Sequence, residues 1–417
     1  MGFYEVAEAF AAIFALVILA PELARGLGLP VIVVELAMGL LIGRSLLDIV
    51  PRHPIIDFFA SFGLIYLMFL VGLEVSVEGV RGRLGRTAAI AASSVLLPFA
   101  AGVGISRELG VEPLLLGTVF STTSLGIVLP LTRELDYGRE YLDVLLVSVA
   151  IVDIISIFLL AFSLSLIQGP VEASLIYSTV AIIVLFLVPS SLRRSGGLRD
   201  AISRWVCGES RFEVGVRVSF ALIAALAAFS GWLGFHAVVG AFIAGLIVSE
   251  VAPRPSELRA KLESFGYGFF VPLFFILMGA KVDIPLLLSN ITNVHHLVLV
   301  VSTAISSKFA GVFAASKLSG LTLRESASLG LFHSARVSLV IAAAEVGSEA
   351  GLIDEKVFSI LVILALLSAV LGPSAGKYVL SGEVGRFRII AKLRGREAGR
   401  QTTPPGARFF RPCGRSS

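Results

Sequence analysis

The sequence is poor in the residues that soluble catalysts rely on. Only 15% of its 417 residues are charged, against about 25% in soluble chains. Its two cysteines, Cys207 and Cys413, stand in no paired motif, so neither a disulfide framework nor a cysteine metal site is expected. The five histidines fall in no HExxH-like spacing, which removes that zinc-hydrolase signature. Nor is there a pair of catalytic carboxylates or a supported Ser nucleophile, so no enzyme is expected. Amide side chains are almost missing: Asn290, Asn293, Gln168 and Gln401 are the whole set. The first apolar stretch contains Glu5 and Glu8 and lacks a basic leader, so no cleavable signal peptide is expected.

Apolar residues fill the space. They make up 56% of the chain, and the mean hydropathy is +0.92. A soluble globule so apolar would have too little polar surface to stay dissolved, and an all-α polytopic membrane protein is predicted instead. Thirteen segments approach the roughly 20 residues that span a bilayer as a helix. They fall at about 5–24, 30–48, 56–76, 86–105, 112–132, 140–167, 173–190, 216–231, 235–250, 264–281, 294–317, 322–346 and 354–380. The basic residues give an independent check. With the N-terminus outside, twenty-seven Lys and Arg face the cytoplasm, and five (Arg44, Arg52, Arg107, Lys281 and Lys356) face out. That asymmetry follows the positive-inside rule, and one helix too many or too few would destroy it. The net charge of +4 is therefore a matter of topology and gives no reason to expect nucleic acid as a partner. The tail, 381–417, is basic and contains Pro-Pro. It is expected to be a disordered cytoplasmic segment near anionic lipid.

The basic loop 191–217 divides the chain near its middle. Six segments precede the seventh and six follow it, so the two halves run in opposite directions. This is the arithmetic of an inverted repeat in a secondary transporter. Each charge far from a helix end is then a functional candidate, because charge at the bilayer centre is costly. Asp153 lies about twelve residues into the sixth segment, close to mid-membrane at 1.5 Å per residue. A carboxylate there can hold an alkali cation or a proton, one at a time, which is the minimum an exchanger needs. Lys308 in the eleventh segment and Arg336 in the twelfth are equally deep. Lys308 can serve as a counter-charge to Asp153. The fixed guanidinium fork of Arg336 suits holding carbonyls better than moving protons. The fifth segment carries the polar run Ser121, Thr122, Thr123 and Ser124, followed by Gly126 and Pro130. Pro130 removes a backbone donor and crowds the Gly126 carbonyl, so a helix break is expected at these two residues. The twelfth segment, fifth in its half, carries Gly330, His333, Ser334, Arg336 and Ser338. His333 reads as a satisfied polar residue and not as a metal ligand. Glu74, nearer a helix end, is a candidate second carboxylate on the cation path.

At these segments the chain resembles the cation:proton antiporter-2 superfamily of sodium/proton and potassium/proton exchangers. The resemblance rests on LIYLMFLVGLEVS (64–76), STTSLGIVLPLTREL (121–135), VAIVDIISI around Asp153, GFHAVVGAFIAGLIVSE (234–250), FFVPLFFILMGAKVDI (269–284) and SSKFAGVF around Lys308. It covers about 1–380. It implies that Asp153 binds cation or proton, that Thr123 and Ser124 lie in an unwound crossing, and that Lys308 pairs with an acidic residue. It places Arg336 in an Arg-Gly-Glu-like segment. Two positions depart from the pattern. Val152 precedes the Asp where electrogenic sodium/proton members have a second Asp, and Ser338 stands where the Glu would be. A single carboxylate favours one-for-one exchange. The nucleotide-binding domain of many potassium efflux members is not expected.

The resemblance further implies a homodimer in the inner membrane and broken, crossing fifth and twelfth helices. Scaffold helices would cover about 1–76 and 216–281, and transport-core helices about 86–167 and 294–380, with a linker helix at 173–190. No cofactor is expected, because an ion gradient drives the cycle. Sodium is the first choice of cation, ahead of potassium or lithium. The alternatives are potassium/proton exchange, sodium-coupled symport of an organic anion and, from a different class, an ion channel.

Overall fold

The computed structural model describes residues 3–51, 53–74, 84–132, 137–168, 213–232, 236–252 and 257–381, together with 197 and 203. The expected seventh segment, most of the basic loop 191–217 and the tail beyond 381 lie outside the described residues. Among the described residues the chain is all-helical, with no strand. In order the helices are α1 (Phe3–Leu27), α2 (Val31–Ile42), α3 (Pro54–Glu74), α4 (Leu84–Leu109), α5 (Pro113–Ser121), α6 (Leu125–Thr132) and α7 (Arg139–Gln168). Then come α8 (Val214–Trp232), α9 (Ala237–Val251), α10 (Glu257–Phe265), a π-helical turn (Gly266–Phe270), α11 (Val271–Ala280) and α12 (Ile284–Leu288). The last four are α13 (Ile291–Leu318), α14 (Leu323–His333), α15 (Ser338–Glu349) and α16 (Glu355–Ser381).

Nine stretches among the described residues are long and apolar enough to cross a membrane. Three shorter apolar helices, Val31–Ile42, Pro113–Leu129 and Ala237–Val251, fall on the second, fifth and ninth expected segments. Large apolar side chains such as Ile18, Leu96, Trp232 and Leu318 are exposed. On a soluble protein such a surface would demand a partner. On a multi-pass protein it meets lipid.

Local chemistry sets several helix ends. Thr322 opens α14 with a capping box: its hydroxyl accepts from the Glu325 N–H, and the Glu325 carboxylate accepts from the Thr322 N–H. Gly110 after α4 and Gly320 after α13 have φ of +67° and +89°. That left-handed turn suits glycine and closes a helix C-terminus. The two ends match in detail: Val111 N–H donates to Ser106 O at 3.0 Å, and Leu321 N–H to Ser316 O at 3.2 Å. Each is followed at once by a short helix, α5 or α14, and then by a break.

The helices pack in two groups. In one, α3 lies against α9, and α2 and α3 lie against α11. The α3–α9 crossing is close because glycines face each other. A Cβ on Gly245 would run into the Phe69 carbonyl, and one on Gly72 into the Phe242 carbonyl. Small residues at a crossing let backbones approach, which drives helix association in lipid. In the other group, α4 packs on α5, α7 and α13, and α13 on α14. Polar contacts tie the groups together at one end. Lys281 Nζ lies 2.6 Å from Glu345 Oε1 on α15, Arg44 NH1 lies 3.0 Å from Glu355 Oε1 on α16, and Ser61 donates to Glu349 at 2.8 Å.

Candidate functional site

Two helices break at mid-course, and the breaks meet. The fifth opens at Thr122–Ser124, between α5 and α6. This is N-terminal to the expected position: Gly126 and Pro130 both lie inside α6. The reason is hydrogen bonding. The chain leaves the helix where side chains and a neighbouring strand of backbone can replace the lost helical bonds. The Thr122 hydroxyl donates to Val119 O at 2.8 Å. The Thr123 hydroxyl donates to His333 O at 3.1 Å, and the Ser124 N–H to Ala335 O at 2.9 Å. His333 ends α14 and Ala335 lies in the second break, between α14 and α15. Irregular backbone at membrane depth is tolerated when protein satisfies it in this way.

The charged residues sit on the ends of these half-helices. The last carbonyls of a helix have no intrahelical donor and carry partial negative charge. At the end of α5, Phe120 O accepts from Arg336 NH1 at 2.8 Å, and Ser121 O accepts from Lys308 Nζ. Arg336 also donates to Ala304 O at 2.9 Å and to Ser334 O at 3.3 Å, and Lys308 donates to Ser94 O at 2.8 Å. Both side chains are fully buried. At the other half, Asp153 interacts with the first N–H of α6, that of Leu125. A helix N-terminus attracts an anion. The break therefore places cations on the negative end of α5 and the carboxylate on the positive end of α6.

Asp153 is half-buried and its neighbour Val152 is fully buried. Asp153 interacts electrostatically with Lys308 and Glu74 but makes no ion pair with Lys308 within 4 Å. The Lys308 ammonium is instead committed to two carbonyls. Ser334 is buried and donates to Gly330 O of its own helix at 3.0 Å. Glu74, the last residue of α3, accepts from Tyr267 at 2.7 Å. The structure thus gathers Asp153, Thr123, Ser124, Lys308 and Arg336 around the two breaks. It leaves Glu74 within electrostatic reach, and Gly126 and Pro130 within α6. No cluster of three or more His, Cys, Asp or Glu that could hold a metal occurs among the described residues.

His333 was expected to be a satisfied polar residue, but its partners were not anticipated. Both ring nitrogens of buried His333 are engaged, Nδ1 with Ser94 Oγ at 3.0 Å and Nε2 with Ser148 Oγ at 2.9 Å. This joins α4, α7 and α14 behind the crossing. The Tyr141 hydroxyl donates to Ser328, which donates to Gly376 O. Lone serines in apolar helices are the available signal, but many such serines only bond back to their own helix.

Comparison with known proteins adds a second line. A family model described as the transmembrane part of the sodium/hydrogen exchanger matches residues 11–382. The probable Na(+)/H(+) antiporter 3 of Methanocaldococcus jannaschii is 29% identical over 380 residues, 89% of this chain and 95% of that protein. The Na(+)/H(+)-K(+) antiporter GerN of Bacillus cereus is 26% identical over 369 residues, 88% and 94% of the two. The solved structure of the sodium proton antiporter MjNhaP1 from Methanocaldococcus jannaschii at pH 8 aligns with a TM-score of 0.61. It is 17% identical and covers 91% of this chain and 100% of its own.

Proposed function

The chain belongs to the sodium/hydrogen exchanger transmembrane family, and from that premise we propose that it exchanges a monovalent cation, sodium by preference, for a proton through the single carboxylate of Asp153. The observation that carries this reading is the seat of that carboxylate. It is half-buried, on the N-terminus of α6, beside a break lined by Thr123 and Ser124. A cation there would meet the carboxylate together with hydroxyl and main-chain oxygens, the hard ligands it needs. A proton would neutralise the same carboxylate. An unloaded charge is costly to carry through a bilayer, so only the cation-loaded and protonated forms cross, and exchange follows.

Lys308 and Arg336 have fixed roles in this cycle. They hold the carbonyl end of α5 closed and set a positive field opposite Asp153. With Val152 in place of a second acid, one cation is exchanged for one proton. The matching ends of α4 and α13 and the paired breaks support two inverted six-helix repeats within thirteen helices. The two packing groups support a scaffold and a moving core, with alternating access between the sides. A homodimer in the inner membrane, N-terminus outside and basic tail 381–417 in the cytoplasm, completes the proposal.

The test is proton flux in proteoliposomes with an imposed pH gradient, adding sodium, lithium or potassium in turn, with and without a potential clamp. The expected result is cation-dependent flux that is insensitive to the clamp and is lost in folded Asp153→Asn protein. Exchange surviving in that variant would overturn the mechanism. Saturable potassium flux without sodium flux would move the reading to a potassium exchanger, a relationship the name of the Bacillus cereus relative makes worth including. Non-saturable conduction would point to a channel.

A further inference from the structure

His333 ties three helices together with one ring, and its carbonyl holds the first break. The ring is fully buried at the end of α14. Nδ1 meets Ser94 Oγ of α4 at 3.0 Å, and Nε2 meets Ser148 Oγ of α7 at 2.9 Å. Both serines are fully buried. One arrangement of hydrogens uses every partner. The Ser148 hydroxyl donates to Leu145 O at 3.1 Å, so its oxygen accepts from Nε2–H. Nδ1 then accepts from the Ser94 hydroxyl. A neutral imidazole has one donor and one acceptor nitrogen, and here both are used. The Nδ1 side anchors α4, whose Ser94 carbonyl receives Lys308 Nζ at 2.8 Å. The Nε2 side anchors α7, on which Ser148 lies five residues before Asp153. The main chain of His333 faces the other ligand: its carbonyl accepts from the Thr123 hydroxyl at 3.1 Å. A hydroxyl has a single hydrogen. With that hydrogen on His333, the Thr123 oxygen can offer only lone pairs elsewhere, which suits a cation.

Resting on the exchange reading above, we propose that His333 is a positioning residue that sets cation selectivity. Through Nε2 and Ser148 it fixes α7, and with it Asp153, against the Thr123 oxygen that its own carbonyl orients. A cation held by both oxygens is measured by the gap between them. Oxygens kept at a fixed separation discriminate cations by size, and loosely held ones do not. His333 takes neither cation nor proton itself, because two serines fill its nitrogens. A useful contrast lies on the same pair of helices. The Tyr141 hydroxyl of α7 donates to Ser328 of α14 at 2.9 Å, twelve residues before Asp153, and touches neither ligand.

The two sides of the ring can be tested apart, because an amide stands in for one ring nitrogen at a time. The amide of Gln reaches the place of Nε2, and that of Asn the place of Nδ1. The experiment is proton flux in proteoliposomes against sodium, lithium and potassium concentration. It compares wild type, Ser148→Ala, His333→Asn, His333→Gln, Ser148→Ala with His333→Asn, and Tyr141→Phe. Ser148→Ala and His333→Asn should each raise the half-saturating concentration of the preferred cation roughly three- to ten-fold, the worth of one hydrogen bond. Each should also narrow the preference for that cation over the next by a similar factor, with the maximal rate retained. The double variant should add nothing to either. His333→Gln keeps the Nε2 link and should stay close to wild type. Tyr141→Phe should lower the unfolding midpoint and leave the cation dependence unmoved. The proposal is overturned by a Ser148→Ala protein with wild-type selectivity, by His333→Gln as impaired as His333→Asn, or by Tyr141→Phe shifting selectivity as Ser148→Ala does. Ser148→Ala against Tyr141→Phe decides even if the His333 variants do not fold. Cation-dependent thermal stabilisation of the detergent-solubilised protein repeats the comparison without transport. An Asp153→Asn protein that still exchanges defeats the parent reading. An unshifted Ser148→Ala protein beside a dead Asp153→Asn protein defeats only this one.

Discussion

Lys281→Met should destabilise the protein, and Glu345→Gln added to it should restore most of the loss. Glu345 is 2% exposed on α15 and its carboxylate lies 2.6 Å from the Lys281 ammonium at the end of α11. Asp57, 61% exposed and 3.9 Å from Lys281, is too distant and too solvated to matter much. Removing one member of a buried pair leaves an uncompensated charge and costs about 3–5 kcal/mol. Lys281 keeps 32% of its side chain in contact with solvent, so water can partly replace it, and the lower end, about 3 kcal/mol, applies. That is about 150-fold in the unfolding equilibrium. In the double variant no buried charge remains, and a neutral amide needs far less. The assay is thermal and chemical unfolding of the four proteins of the cycle in one detergent. Lys281→Met within about 0.5 kcal/mol of wild type, the range of an ordinary surface substitution, would refute the reasoning. So would a double variant as unstable as Lys281→Met, because the damage would then come from something other than an orphaned carboxylate.

Two further outcomes test the packing and the crossing. Gly245→Ala should cost about 1–3 kcal/mol, the usual penalty for overpacking, since its methyl meets the Phe69 carbonyl. Gly231→Ala, with nothing within 4 Å of the new Cβ, should be neutral or slightly stabilising, and unfolding midpoints of the two compare them directly. Arg336→Lys should cost about 1–3 kcal/mol despite keeping the charge. One ammonium cannot reach Phe120 O and Ala304 O as the guanidinium fork does, so a buried carbonyl loses its donor; an unchanged midpoint would show that the fork is dispensable.

What could be read from the sequence, and what could not, divides along a physical line. A charge in the middle of an apolar segment is costly wherever it points, so Asp153, Lys308 and Arg336 identified themselves. Their common depth, with Thr123 and Ser124, brought them to one place before any contact was known. Helix positions were legible for the same reason, because bilayer thickness sets segment length. Partner identity was not. Lys308 faces two carbonyls because α5 ends beside it, and α5 ends at Ser121 because His333 and Ala335 of another helix arrive to satisfy the opened backbone. Nothing local to Lys308 encodes that arrival. The shifted break makes the same point: Pro130 fits inside α6, and the chain opens instead at Thr122–Ser124, where donors and acceptors from the second half wait. Glu345 is buried against Lys281, 64 residues away in the sequence, and nothing near either residue announces the pair. The crossing is therefore a joint property of both halves. A substitution in either break should be judged by the backbone groups it leaves unpaired in the other.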